Sequence, residues 1–105
     1  MSLTVDQDQI TVELETLGRI SSEPAPVVTR VVFTEADLRA RDFVKQLCRE
    51  AGLDIREDAV GNTFARWPGT DDQLPAVATG SHIDAIRHRL PGKPSHGGHA
   101  RCACR

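Results

Sequence analysis

Gly80-Ser81-His82-Ile83-Asp84 is the stretch of this chain with the most chemical content. Zn²⁺ and similar ions take neutral histidine readily. The apolar Ala76-Val77-Ala78 run before it reads as a buried strand, and ligands of open α/β sheets bind in the crevice beyond strand ends. Residues i and i+2 of a strand face the same way. Asp84 can therefore approach the site that His82 faces, as a partner of a metal ligand or as an orienter of a catalytic group. Gly80 and Ser81 supply the small side chains of a close turn. Spacing alone leaves a surface histidine beside an acid as the competing reading.

Three other places carry reactive or charged groups. Arg30 interrupts the β-branched run of residues 27–33, where it is either part of a packed segment or free to meet a substrate carboxylate or a neighbouring acid. Cys48 falls on the apolar stripe of a helix and reads as a structural thiol. His96, His99, Cys102 and Cys104 have His-x2-His-x2-Cys-x-Cys spacing, a donor set zinc accepts but one that matches no common finger or knuckle.

The elements that must position these groups follow from pattern. Residues 4–20 predict a helix, with Ile10, Leu14 and Leu17 at helical spacing and acids in the first turn. Ser21 to Pro26 ends it. Residues 27–33 read as extended. Thr34 caps a second helix with Asp37 at its N3 position, and the helix runs to about Ala51, with Gly52 as C′. Residues 53–57 and 63–67 alternate and predict an antiparallel hairpin, Gly61 and Asn62 being free to take positive φ. A strand leading from Gln73 to His82 follows. Two helices followed by three strands of mixed direction argue an α/β or α+β fold.

Composition sets the outer bounds. The chain has 105 residues, 39% hydrophobic and 27% charged, with net charge −2. That is a folded composition of one small domain. Residues 87–105 carry five basic and no acidic residues, while residues 1–86 carry eight basic and all fifteen acidic ones. This marks a break after Ile86. The basic tail lacks the interleaved aromatics that stack on nucleic acid, which argues against that partner. Met1 to Ile10 has neither a basic n-region nor an apolar h-region, and no apolar run approaches membrane-spanning length. These features imply a cytoplasmic protein with no membrane partner.

Taken in order, Leu17-Gly18-Arg19-Ile20-Ser21, Val28-Thr29-Arg30, Phe33-Thr34-x-x-Asp37-x-x-Ala40-Arg41, Ala51-Gly52-Leu53, Asp58-Ala59-Val60-Gly61-Asn62, Leu74-Pro75 and Gly80-Ser81-His82-Ile83-Asp84 resemble the N-carbamoyl-amino-acid hydrolase, β-ureidopropionase and allantoate amidohydrolase family, a branch of the metal-dependent aminoacylase and carboxypeptidase superfamily. The resemblance implies an α/β aminopeptidase-like catalytic domain and a smaller dimerisation domain that makes a homodimer. It implies two divalent ions (Zn²⁺, Mn²⁺, Co²⁺ or Ni²⁺) and a small ureido or amide substrate attacked by metal-activated water. His82 maps onto the first metal ligand of that family. Asp84 maps onto the catalytic aspartate that supports the ligand or base.

Beyond Ile86 the chain departs from the family pattern. The family continues with Gly-Lys-aromatic-Asp-Gly, whose Asp bridges the metals; here Gly92-Lys93 remains, and no acidic residue follows Asp84. Reading possible codons of residues 96–105 one base later allows Thr-Val-Gly-Thr-Leu-Gly-Ala-Leu-Ala, which resembles the family's continuation. The expectation is an N-terminal fragment of the α/β catalytic domain over residues 1–86, inactive by itself and without the dimerisation domain. Residues 87–105 are expected to form an aberrant, disordered tail. Residues 76–81 are expected to be an unpaired edge. The alternative is a small non-catalytic metal- or anion-binding protein that uses the His/Cys-rich tail.

Overall fold

The computed structural model describes residues 3–86. The readings of residues 87–105, including the His96, His99, Cys102 and Cys104 donor set, lie outside the described residues. Within them the elements are helix α1 (Gln7–Arg19), helix α2 (Glu35–Glu50) and strands β1 (Asp54–Glu57) and β2 (Thr63–Arg66).

Both helices begin on the capping chemistry their sequences carry. Asp6 accepts the Gln9 amide at 3.0 Å to open α1. Thr34 accepts the Asp37 amide at 3.4 Å to open α2. Asp37 is not the reciprocal half of an ordinary capping box. Its carboxylate reaches one residue further back and accepts the Phe33 amide at 2.8 Å. Phe33 stands at φ +65°, a conformation uncommon outside glycine. At its far end α2 closes in a Schellman motif: the Gly52 amide donates to Arg49 O and the Leu53 amide to Cys48 O, at 2.9 and 3.0 Å. Gly52 takes φ +77° as the C′ residue.

The hairpin forms as its alternation predicts, in the register Asp54↔Arg66, Ile55↔Ala65, Arg56↔Phe64 and Glu57↔Thr63. Its loop is organised by Asp58, which accepts from the Val60 amide and from the Asn62 amide and side chain. Those bonds, the Asn62 side chain foremost, hold the Asp58 carboxyl below the usual carboxylate range. The directly opposed Arg56 and Phe64 stack, the guanidinium 4.2 Å from the ring centroid.

α2 packs against both strands, and polar side chains clasp the two layers. Arg41 donates to Asp37 at 2.7 Å and to the Gly61 carbonyl of the hairpin loop. Lys45 pairs with Glu57 of β1. Among the described residues the buried apolar ones are Ala36 and Ala40, with Asp37 and Arg30 as buried charged residues. Val44, Leu47 and Cys48 are half-buried on the same helix. Cys48 is a free thiol, half-buried where it lines a shallow cleft with Leu47, Ala51 and Leu53.

Three expectations change. α1 forms, but Ile10 and Leu14 of its apolar stripe are exposed. Residues 27–33 hold extended backbone at Arg30, where a single bridge pairs it with Ala85, and then turn at Val32 and Phe33. Residues 75–82 form no strand, and Val77 is fully exposed. A strand is stabilised by backbone pairing along at least one edge and by burial of a face. Among the described residues no neighbouring strand runs beside 75–82, so its apolar pattern finds neither.

Candidate functional site

His82 and Asp84 lie just before Ala85, which a single bridge pairs with Arg30, and the close turn expected at Gly80 and Ser81 does not form. The His82 Nδ1 lies 2.9 Å from Asp84 Oδ1 and 3.2 Å from the Asp84 carbonyl oxygen. In the neutral ring this contact places the proton on Nδ1, donated to the carboxylate. The lone pair is then left on Nε2. The two side chains are 58% and 42% exposed. The two side chains meet through a local contact rather than as two side chains of one strand.

What holds the pair to the body is Arg30. Its backbone amide donates to the Ala85 carbonyl at 2.6 Å, and the Ala85 amide donates back to Arg30 O at 2.9 Å. Its side chain donates from Nε to the Ile83 carbonyl at 2.7 Å and from Nη1 to Leu17 O and Ile20 O at 2.9 and 2.6 Å. Arg30 is 5% exposed. Burial lowers its pKa from the usual arginine value, while the Asp37 and Asp84 carboxylates oppose that shift. Of the readings open to Arg30, the packed one is observed: its guanidinium is committed to carbonyls of its own chain. Sequence reasoning missed this role. The available signal was a lone arginine inside a β-branched run, the kind of residue that is buried only when its donors are satisfied.

As a metal site the described residues fit one corner. His82 offers a bare Nε2 with Asp84 behind it, the donor chemistry of a single imidazole ligand. Among the described residues no three His, Cys, Asp or Glu side chains gather to hold an ion. No helix among them is long and apolar enough to cross a membrane.

No family model matches the chain. Individual relatives do. A ureidoglycolate hydrolase of Arabidopsis thaliana is 53% identical over 85 residues, 81% of this chain and 18% of that protein. An N-carbamoyl-L-amino-acid amidohydrolase of Paenarthrobacter aurescens is 42% identical over 81 residues, 77% of this chain and 19% of its own length. An allantoate amidohydrolase of Bacillus subtilis is 35% identical over 80 residues, 76% of this chain and 19% of that protein. Over these residues the chain belongs to that amidohydrolase family. The crystal structure of AtUAH in complex with glyoxylate shares its fold there, with TM-score 0.77 and 53% identity over 81% of this chain and 20% of the other. The fold is thus an α/β segment of the family domain. The chain spans about a fifth of the length of the family members it matches.

Proposed function

We propose that this chain carries the first metal-ligating corner of an amidohydrolase acting on ureido or carbamoyl compounds, with His82 as the ligand and Asp84 as the residue that orients it. The observation that supports this reading is the 2.9 Å contact from His82 Nδ1 to Asp84, which commits one ring nitrogen and leaves the other for an ion. A divalent ion, Zn²⁺, Mn²⁺, Co²⁺ or Ni²⁺, supplies Lewis acidity toward a ureido carbonyl and water when bound. The part played by this chain is narrower. Asp84 fixes the imidazole's tautomer and direction. One imidazole holds an ion weakly against water, so the described residues do not make a catalytic centre alone.

The experiment has two arms. In the first, release of ammonia from ureidoglycolate, N-carbamoyl amino acids and allantoate is measured with the 105-residue chain and added Mn²⁺ or Zn²⁺. The expected result is no turnover above the metal-only control, and robust turnover would overturn the single-corner reading. In the second, Mn²⁺ is titrated against the chain while the imidazole resonances are followed by NMR. Selective broadening of His82, lost in His82→Ala, is expected. Equal broadening of surface carboxylates with none at His82 would remove the ligand assignment.

A further inference from the structure

We infer that Arg30 is the positioning residue of the His82–Asp84 pair: its backbone and its guanidinium together clamp residues 83 and 85, and so fix the carboxylate that orients the imidazole.

The geometry is bracketing. Ile83 O is held by Nε, while the amide and carbonyl of Ala85 are both held by the Arg30 main chain. Asp84 lies between two anchored neighbours, so its backbone direction is set on both sides. The donors that would otherwise be free to swing are tied to Leu17 O and Ile20 O at the end of α1. Carbonyls at a helix C-terminus lack intrahelical partners and carry partial negative charge, which suits a guanidinium. One buried residue thereby couples the end of α1 to the corner that presents His82. Asp37 and Asp84 both act electrostatically on the cation and offset part of its desolvation. Arginine is required for this arrangement because three carbonyls on two separate segments are met by one planar fork. Lysine is a point donor on a flexible stem and cannot hold that spread.

Upstream, residues 75–82 are exposed and without strand pairing among the described residues. The contact from His82 to Asp84 is local and exposed, so its persistence depends on what steadies Asp84. The clamp thus turns a mobile-type local contact into a fixed one. This positioning role deepens the proposed function and rests on the reading of His82 as a ligand, but its primary test requires no metal.

The test is made on the full chain with ¹⁵N-labelled histidine, comparing wild type with Arg30→Met and Arg30→Lys. The nitrogen shifts of His82 report which ring nitrogen carries the proton in the neutral imidazole. Wild type is expected to show the Nδ1–H form in excess, with Nε2 bare. Both variants are expected to drift toward a mixture of the two forms while the Gly61 and Asn62 amides of the hairpin keep their positions. The Mn²⁺ concentration that broadens His82 should rise about 10-fold or more, the usual cost of loosening a residue behind a metal ligand.

An unchanged Nδ1–H excess in Arg30→Met with the hairpin intact would overturn the inference. So would loss of the hairpin amides in both variants, which would make Arg30 a residue of the general core. In wild type, a slowly exchanging Arg30 Nε–H is expected, and free exchange of that proton with water would overturn the clamp without any variant. If the tautomer loosens in the variants while wild-type His82 takes no Mn²⁺, the positioning stands and the ligand reading fails.

Discussion

Two regions of this molecule are built on opposite plans. Residues 34–66 close on themselves: Thr34 caps α2, Gly52 and Leu53 finish it, Asp58 folds the hairpin loop, and Arg41 and Lys45 reach across to the hairpin. Nearly all of those contacts join residues less than about one helix length apart in sequence, so little chain entropy is spent per contact formed. Residues 67–82 hold a small local turn, where Asp71 accepts from the Gln73 and Leu74 amides. They then depend on a tie 53 residues away, from Arg30 to Ile83. The scaffold is built from local contacts, whereas the corner that presents His82 is tied through Arg30 to residues far away in sequence. Changes in the two regions should therefore have very different costs.

The largest loss is expected from Asp37→Ala. Asp37 is fully buried, accepts from the Phe33 amide and from Arg41, and is the pivot between the start of α2 and the hairpin. Removing it leaves a half-buried guanidinium and a backbone donor without their partner, a change on the order of 3–5 kcal/mol. For a small domain of ordinary stability that is a large share of the total. Helical circular dichroism should collapse at a much lower urea concentration than in wild type. A near-wild-type midpoint would show that residues 34–66 do not depend on this polar core.

The same carboxylate makes the local region acid-sensitive. Burial pushes the Asp37 carboxyl up, but the Phe33 amide and Arg41 pull it down further, so it ends below the usual carboxylate range. A carboxyl with a depressed folded pKa contributes stability that is fully present above its unfolded value of about 3.9. That contribution is lost as pH falls through the folded value. Stability of the α2–hairpin unit should thus be level above about pH 5 and fall on further acidification. Asp37→Asn should start lower and show a flatter acid limb. A wild type and variant with parallel limbs would assign the acid sensitivity elsewhere.

Next in size is a pair of glycines with the same backbone sign and different surroundings. Gly52 takes φ +77° in open space, and Gly61 takes φ +85° where an added Cβ would lie 3.0 Å from an Arg41 nitrogen and 3.1 Å from the Phe33 ring. Gly52→Ala should cost roughly 1–2 kcal/mol, the price of a left-handed residue with a side chain. Gly61→Ala should cost more, because it also pushes on the Arg41 clasp. Equal losses in chemical denaturation would mean that Arg41 and Phe33 yield freely.

How much of this was legible in the sequence follows the same division. Thr34, Gly52, the alternation of residues 53–57 and 63–67, and Gly61 are local signals that formed the features they predict, while Asp37 bonds the Phe33 amide in place of the reciprocal half of a capping box. His82 with Asp84 was also legible, since the two are neighbours. The Arg30 clamp was not, because its partners are carbonyls at Leu17, Ile20 and Ile83, and a carbonyl has no residue-specific signature. The strand expected over residues 73–82 failed for a related reason. Its apolar pattern reports what the segment would bury against, and no such neighbour is found among the described residues.

The smallest effect is expected where the sequence alone predicts one of the largest. Val77 sits in the middle of the Ala76-Val77-Ala78 run, and a charge placed in a buried strand would cost several kcal/mol. In this structure Val77 is fully exposed, on a stretch with no strand partner among the described residues. Val77→Asp should therefore change stability by no more than about 0.5 kcal/mol, as surface substitutions generally do. The midpoint in urea should overlay that of wild type. Amides of residues 76–79 should exchange with solvent at rates close to those of an open chain, while the Ala85 amide is protected by its bond to Arg30. A large loss in Val77→Asp, together with protected amides at 76–79, would place this run in a paired strand and end the contrast. A silent substitution with Ala85 protected would locate the boundary between open chain and anchored corner within residues 80–85, the stretch that carries His82.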